Sequence, residues 1–194
     1  PTPTPTPACA EPQTGFLGDG DPSTYISMQR QAVTDANCRK YVVFNNNYAD
    51  PTATQVVSYQ NNSFAVISSQ AASTAAGLPG SFPSIYIGAS GDIEGGTYST
   101  WSNSGLPRQV SDLIANTNMP TTFTWSGGVA NPDFAAGLDL WFSEIPPQAG
   151  NYNDAFSGFI QVWLNKPSSH SPIGKATSNR SVQLAGHSWT VWAG

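Results

Sequence analysis

Short apolar runs that alternate with polar positions recur along the chain from Tyr41 onward. They are rich in β-branched and aromatic residues, and Gly, Pro, Asn and Ser separate them, as is typical of strands joined by turns. In chain order the runs are YVVFNNNY, QVVSYQ, NSFAVISS, PSIYIGA, TTFTWSG, AAGLDLWFSE, GFIQVWLNK, SVQLAG and HSWTVWA. This spacing predicts an all-β protein, a jelly roll or sandwich of two antiparallel sheets.

A regular alternation occupies residues 138–142, where one face is apolar and Asp139 and Trp141 share the other. The segment LPRQVSDLIA alone has helical character, and it reads equally well as an edge strand. We find no internal repeat and no second domain. The pattern therefore predicts one β-jelly roll over residues 9–194, after a linker at residues 1–8.

The linker begins with PTPTPTP, a strict alternation of proline and threonine. Proline fixes φ and lacks an N–H, so we expect an extended spacer that stays outside the core. Its threonines are candidate O-glycan acceptors, and such spacers tether a secreted module to a neighbouring domain. No signal peptide is visible, which indicates a mature or trimmed chain.

The composition is poor in charge and rich in aromatic rings. Charged residues make up 10% of the chain, aromatic residues 11%, and the net charge is −5 with seven Lys and Arg. So few basic side chains argue against nucleic acid as a partner, and no apolar run approaches the roughly 20 residues of a membrane span. Six tryptophans among many neutral amides favour a neutral polysaccharide, although tryptophans on strands also serve core packing.

Two cysteines and two sequons bear on the cellular compartment. Cys9 and Cys38 are predicted to form a disulfide that ties the N-terminal segment to the first clear strand, the alternative being two buried thiols. The sequons at Asn61 and Asn179 are N-glycosylation sites if the host is a eukaryote that secretes the protein. Together these features predict a secreted, extracellular protein.

Metal and serine-hydrolase chemistry find little support in the sequence. His170 and His187 are the two histidines, and no Cys or acidic residues stand at metal-ligand spacing from them. The serines lack a Gly-x-Ser-x-Gly elbow. We therefore predict no metal and no cofactor.

Six segments in chain order resemble glycoside hydrolase family 12, the small endo-β-1,4-glucanases and xyloglucanases. They run from about Cys38 to Gly194, and they are YVVFNNNYAD, GSFPSIYIG, NMPTTFTWSGG, AGLDLWF, FSGFIQVWLNK with the following SPIG, and GHSWTVWAG. The resemblance implies a β-jelly roll with a substrate cleft across its concave sheet.

The chain departs from the family pattern at the position of the nucleophile. In the family a glutamate lies four residues before the tryptophan of this strand, and counting back from Trp163 reaches Phe159. Retaining hydrolysis needs two carboxylates, about 5–5.5 Å apart, and phenylalanine supplies neither. Asp139 matches the family aspartate near the nucleophile and is the one retained candidate of the catalytic apparatus. Gln161 shares the strand face of Phe159, but an amide is not a competent nucleophile.

The resemblance places the acid/base glutamate in further C-terminal strands and a helix, whereas the chain stops at Gly194. Either the chain is truncated, or a neighbouring segment or subunit completes the fold by strand addition at an open sheet edge. Glu144 and Glu94 read as solvated loop charges rather than substitutes.

The sequence thus predicts a domain that engages β-1,4-glucan or a related polysaccharide and is hydrolytically weak or inactive. Two alternatives are an active endo-β-1,4-glucanase whose acid/base lies in an unseen tail, and a structural protein that self-assembles outside the cell. The predicted partners are a β-glucan, a domain beyond the Pro-Thr linker or a second copy, with no nucleic acid and no membrane. The predicted polysaccharide contacts are Asn45, Asn46, Tyr48, Phe82, Trp125, Trp141, Phe159, Gln161 and Trp163.

Overall fold

The structure is a computed structural model of the chain, and it consists mainly of antiparallel β-strands. It describes residues 14–18, 28–47, 50, 52–73, 79–90, 99–100, 105–112, 121–127, 134–145, 158–167 and 170–194. The strands within these ranges are β1 (Thr14–Leu17), β2 (Met28–Thr34), β3 (Lys40–Asn46), β4 (Gln55–Gln60), β5 (Ser63–Ser69), β6 (Ser84–Tyr86), β7 (Ala89–Ser90), β8 (Ser99–Thr100), β9 (Ala136–Phe142), β10 (Gly158–Asn165), β11 (Lys175–Leu184) and β12 (His187–Ala193). The predicted all-β class is confirmed.

The strands belong to two compact units. The first unit comprises Pro1–Met119 and Ser143–Ser157, and the second comprises Pro120–Phe142 and Gly158–Gly194. The linker at residues 1–8 lies outside the described residues, and the single domain over residues 9–194 stays a prediction.

Among its described residues, the first unit contains two three-stranded sheets and one strand pair. Their strand orders are β1-β4-β5, β2-β3-β6 and β7-β8. Leu17 and Val57 from one large sheet form an apolar cluster with Val33 and Val43 from the other. Burial of such aliphatic side chains contributes roughly 1.5–3 kcal/mol each relative to exposure, so this cluster joins the two sheets.

The turn between β2 and β3 is organised by the buried carboxylate of Asp35. Its Oδ1 accepts hydrogen bonds from the backbone N–H groups of Asn37 and Arg39, each at 2.9 Å, and its Oδ2 accepts one from Arg39 Nε at 2.8 Å. Burial alone would raise the pKa of Asp35, but these bonds and the Arg39 charge outweigh it and lower that pKa below its usual value. The turn therefore holds Cys38 in a left-handed conformation, with φ of 60°.

A polar network lies inside the first unit, where Gln55 meets Asn45. The side-chain Nε2 of Gln55 donates a hydrogen bond to Asn45 Oδ1 at 2.6 Å, and Asn45 Nδ2 donates one to the backbone oxygen of Gln55 at 3.2 Å. Gln55 Oε1 also accepts hydrogen bonds from the hydroxyls of Ser69 and Ser81, each at 2.8 Å. Buried amides need such partners to offset the loss of water, so the network fixes β3 against β4.

The second unit contains two antiparallel pairs, β9 with β10 and β11 with β12. The β11–β12 hairpin closes through Ala185 and Gly186, whose φ angles are 51° and 78°. Two positive φ angles characterise a type I′ turn, which matches the twist of the strands. Between the pairs Ala176↔Trp192 and Ser181↔Thr190 the register shifts, so β11 bulges there.

One predicted strand is wrong, and three described strands, β1, β2 and β8, lie outside the predicted runs. Residues 121–127, from the run TTFTWSG, form no strand, because no described strand hydrogen-bonds to them in a ladder. The segment LPRQVSDLIA contains a helical turn at residues 110–112 rather than an edge strand, as far as it is described. Strands β1 and β2 precede Tyr41, where the sequence pattern was not strand-like, and their pairing with β4 and β3 supplies the missing stabilisation.

Replacing Asn45 with alanine should destabilise the first unit. The substitution leaves the buried Gln55 amide without its acceptor, and an unsatisfied buried polar group costs about 1–3 kcal/mol. Urea unfolding followed by circular dichroism measures this loss. Gln60→Ala, at an exposed position of β4, is the control and should change the free energy of unfolding by less than about 0.5 kcal/mol. Equal effects of the two variants would contradict a structural role for the Asn45 amide.

Candidate functional site

The register of β9 and β10 gathers five predicted site residues on one strand pair. Phe159 pairs with Trp141, Gln161 with Asp139, and Trp163 with Gly137. Side chains two residues apart on a strand share a face, so these three rows lie on the same side of the ladder. We call the side chains of Asp139, Trp141, Phe159, Gln161 and Trp163 the β9–β10 face.

Two aromatic rings stand at one end of this face. The ring centroids of Trp141 and Phe159 are 5.0 Å apart, with 35° between the ring planes. Trp141 is 55% exposed and Phe159 38% exposed, so the ring pair is open to a ligand as well as packed on itself. Flat, exposed rings of this kind suit the apolar face of a sugar ring better than a charged group.

Beside the ring pair lies a chain of polar contacts. Gln161 Nε2 donates a hydrogen bond to Asp139 Oδ2 at 3.1 Å, and Trp163 Nε1 donates one to Gln161 Oε1 at 3.4 Å. Asp139 is an exposed residue, but its neighbours remove part of its hydration, which raises its pKa above the usual value. The hydrogen bond from Gln161 opposes this shift without cancelling it. Asp139 is the carboxylate of this face.

A second aromatic contact in the same unit holds Trp125. Its ring meets that of Phe134 edge to face, with centroids 5.7 Å apart and 75° between the planes. A side chain at Gly127 would stand 2.9 Å from the Phe134 ring and 3.2 Å from the Trp125 ring, so glycine lets the two rings approach. The carbonyl oxygen of Phe134 accepts a hydrogen bond from Asn165 Nδ2 at 2.6 Å, which connects this contact to the end of β10.

The remaining predicted contacts belong to the first unit. Asn45 is 0% exposed, so its side chain presents no surface to a sugar. The backbone oxygen of Asn46 accepts a hydrogen bond from the N–H of Phe82 at 2.7 Å, which brings these two residues together. Phe82 is 45% exposed, and Tyr48 lies outside the described residues.

The other predicted sites are spread over the molecule. Asn61 occupies the turn between β4 and β5 with φ of 54°, and Asn179 lies in β11. The His187 ring meets Trp189 edge to face at 6.4 Å. Among the described residues no three His, Cys, Asp or Glu side chains come together as a metal site requires, and no helix there is long and apolar enough to span a membrane.

Comparison with known proteins identifies the family. The sequence model of glycosyl hydrolase family 12 matches residues 39–194. The chain belongs to glycosyl hydrolase family 12. The resemblance inferred from the six segments is therefore confirmed. The matched region includes the strands that carry the β9–β10 face.

A curated relative shows how much of such a protein the chain covers. Endoglucanase A of Aspergillus kawachii (strain NBRC 4308) is 33% identical over 102 residues, which are 51% of this chain and 39% of the relative. The matched region thus spans about two fifths of the relative's length. No solved structure gives a significant match.

Phe134, Gly127 and Asn165 were not predicted as parts of the site. Phe134 and Trp125 are nine residues apart and join no common strand, so no periodicity signals their contact. Asn165 is the last residue of β10 and the next-to-last of the run GFIQVWLNK, where an amide looks like an ordinary turn residue. A glycine two residues after Trp125 was the one available hint, because glycine often marks a close approach.

The two perturbed carboxylates should have opposite effects on the pH dependence of stability. Because the pKa of Asp139 is higher in the folded than in the unfolded protein, its protonated form stabilises the fold. This stabilisation is complete below the unfolded pKa and is lost as pH rises through the folded pKa. The advantage of Asp139→Asn over the wild type should therefore grow between about pH 3 and pH 7. Thermal unfolding of both proteins across this range measures the difference.

Asp35→Asn is the matched variant of opposite sign. The lowered pKa of Asp35 stabilises the fold above the unfolded pKa, and this contribution is lost as pH falls. The variant should therefore be less stable than the wild type at neutral pH, with the gap closing in acid. Parallel pH profiles for the two variants would show that one of the two assignments is wrong.

Proposed function

We propose that this family 12 domain binds β-1,4-glucan or a related polysaccharide through the β9–β10 face and hydrolyses it weakly or not at all. The observation that carries the proposal is Phe159, which occupies the position where the resemblance expects the attacking glutamate and whose ring contacts Trp141. A retaining glycosidase needs a nucleophile and an acid/base. Asp139 is a single carboxylate where two are required.

Family membership and the side chains of the face support this substrate class. The name of the fungal relative, Endoglucanase A, supports a glucan. Exposed rings at Trp141 and Phe159 offer a stacking surface, and the polar groups of Asp139 and Gln161 offer hydrogen bonds to hydroxyls. Few charges elsewhere in the chain agree with a neutral ligand.

A binding and hydrolysis assay on one preparation tests the proposal. We expect the protein to be retained on glucan, and Trp141→Ala to weaken binding about tenfold, equivalent to about 1.4 kcal/mol. Affinity electrophoresis in gels that contain β-glucan measures binding, and reducing-sugar release from carboxymethylcellulose and xyloglucan measures hydrolysis. Phe16→Ala, at an exposed aromatic residue of β1, is the control and should bind as the wild type does.

The outcomes separate the alternatives. Strong release of reducing sugar would contradict weak or absent hydrolysis and would favour an active endoglucanase. The absence of retention on every polysaccharide of a panel would overturn the binding function. Loss of binding in Phe16→Ala as large as in Trp141→Ala would remove the β9–β10 face as the binding surface.

We further propose that the domain works outside the cell, with a Cys9–Cys38 disulfide and N-glycans at Asn61 and Asn179 where the host adds them. Cys38 is not a free thiol, and Cys9 is the other cysteine of the chain, which supports the pairing. The Asp35 turn, which holds Cys38, gives the bond a fixed anchor. Disulfides persist in oxidising compartments, so the pairing agrees with secretion.

Intact mass of protein purified from a culture medium should show both modifications. Alkylation without reduction is expected to add no mass, whereas alkylation after reduction should label both cysteines. Enzymatic deglycosylation, compared across wild type, Asn61→Gln and Asn179→Gln, assigns each glycan to its sequon. Labelling of unreduced protein would contradict the disulfide, and an unchanged mass after deglycosylation would contradict the glycans.

A further inference from the structure

The polar contacts of the β9–β10 face form a directed chain that starts at an indole. An indole N–H can donate a hydrogen bond and cannot accept one. Trp163 Nε1 lies 3.4 Å from Gln161 Oε1, so it selects the oxygen of that amide. The amide nitrogen of Gln161 then points to Asp139, at 3.1 Å from Oδ2.

The opposite orientation of the Gln161 amide is unfavourable at both ends. It would bring Oε1 toward the acidic Asp139, so that an amide oxygen faced a carboxylate oxygen. It would also bring the amide N–H₂ toward the indole N–H of Trp163, so that two donors faced each other. Both contacts would lose a hydrogen bond and gain repulsion, and a single arrangement of the three side chains therefore prevails.

This arrangement leaves hydrogen-bonding capacity that a ligand could use. The Gln161 amide retains one N–H and one lone pair, and Asp139 retains Oδ1. The neighbouring row of the ladder, about 7 Å along the strands, holds the exposed rings of Trp141 and Phe159. A hydroxyl both donates and accepts, so it matches an amide N–H beside a carboxylate oxygen.

We propose that Trp163 is a positioning residue that fixes the Gln161 amide, so that Gln161 and Asp139 together bind the hydroxyls of a neutral sugar held against Trp141 and Phe159. The proposal rests on the proposed function and narrows its substrate class. An ionised carboxylate at Asp139 repels acidic sugars, so the face selects neutral glucan over polysaccharides that carry carboxylates.

The positioning role is tested without any glycan. Carbon-13 NMR titration of the side-chain carboxyl of Asp139 compares wild type, Gln161→Met and Trp163→Phe. The Gln161 hydrogen bond lowers the pKa of Asp139, so Gln161→Met should raise it, and Trp163→Phe should raise it part of the way because the amide can then rotate. An unchanged titration in Trp163→Phe would overturn the positioning role.

A second tryptophan provides the matched control for this titration. Trp189 Nε1 donates to the backbone oxygen of Leu184 at 3.1 Å, so Trp189→Phe also removes an indole hydrogen bond of the second unit but leaves Gln161 alone. It should leave the Asp139 titration unchanged. A shift equal to that of Trp163→Phe would mean a general loss of structure and would overturn the proposal.

Glycan binding tests the selectivity. Calorimetry with cellohexaose should show binding weakened about tenfold in Gln161→Met, by a smaller factor in Trp163→Phe, and not at all in Trp189→Phe. The wild type should bind polygalacturonate, which is acidic, at least tenfold more weakly than cellohexaose. Equal affinity for the two ligands, or full affinity in Gln161→Met, would overturn the polar pair as the binding element.

The two readouts separate this inference from the proposed function. If the wild type binds no glucan, the proposed function fails, and the ligand half of the inference fails with it. The NMR titration still decides whether Trp163 orients Gln161. If the wild type binds glucan while Trp163→Phe leaves the titration unchanged, the function stands and the positioning role is wrong.

Discussion

The pairing register between β9 and β10 is the constraint on which the candidate site depends. It sets Phe159 opposite Trp141 and Gln161 opposite Asp139, and so determines both the ring contact and the polar chain. Because side chains alternate between faces, a slip by one residue would turn Ile160 and Val162 to this side and remove the site. The Asp139–Gln161 hydrogen bond and the ring contact exist only in the observed register, so the side chains that form the site also favour the pairing that creates it.

The parts of the fold that the sequence predicts are those decided by local pattern. QVVSYQ and HSWTVWA coincide with β4 and β12 residue for residue, because β-branched runs bounded by turn residues carry their own signal. The β2 segment MQRQAVT has few such residues, and its strand depends on pairing with β3. The run TTFTWSG carries the signal without a described partner, and there the prediction was wrong.

In the candidate site, too, local pattern predicts some residues and tertiary contacts decide the others. Counting back four residues from Trp163 assigns Phe159 to the position of the nucleophile, and the alternation of side chains assigns Gln161 to the same face. Both predictions need only the sequence of one strand. Asn45 shows what a strand cannot reveal, because its partner Gln55 lies ten residues away and converts an apparent surface asparagine into a core group. An amide in a run such as FNNNY is equally suited to bind a sugar or a buried neighbour, and only the tertiary contact decides.

Under the proposed function, the phenyl ring of Phe159 changes the chemical surroundings of the carboxylate of Asp139. The resemblance implies a glutamate beside the family aspartate, and two carboxylates at that separation would raise each other's affinity for protons, as catalysis by acid and base requires. With a phenyl ring at Phe159, desolvation and the Gln161 amide govern Asp139 instead. One carboxylate that accepts hydrogen bonds next to two exposed rings is suited to hold a neutral sugar in place. A phenyl ring cannot attack an anomeric carbon, so under the proposed function the residue that stands in for the nucleophile also gives the face a stacking surface that favours binding.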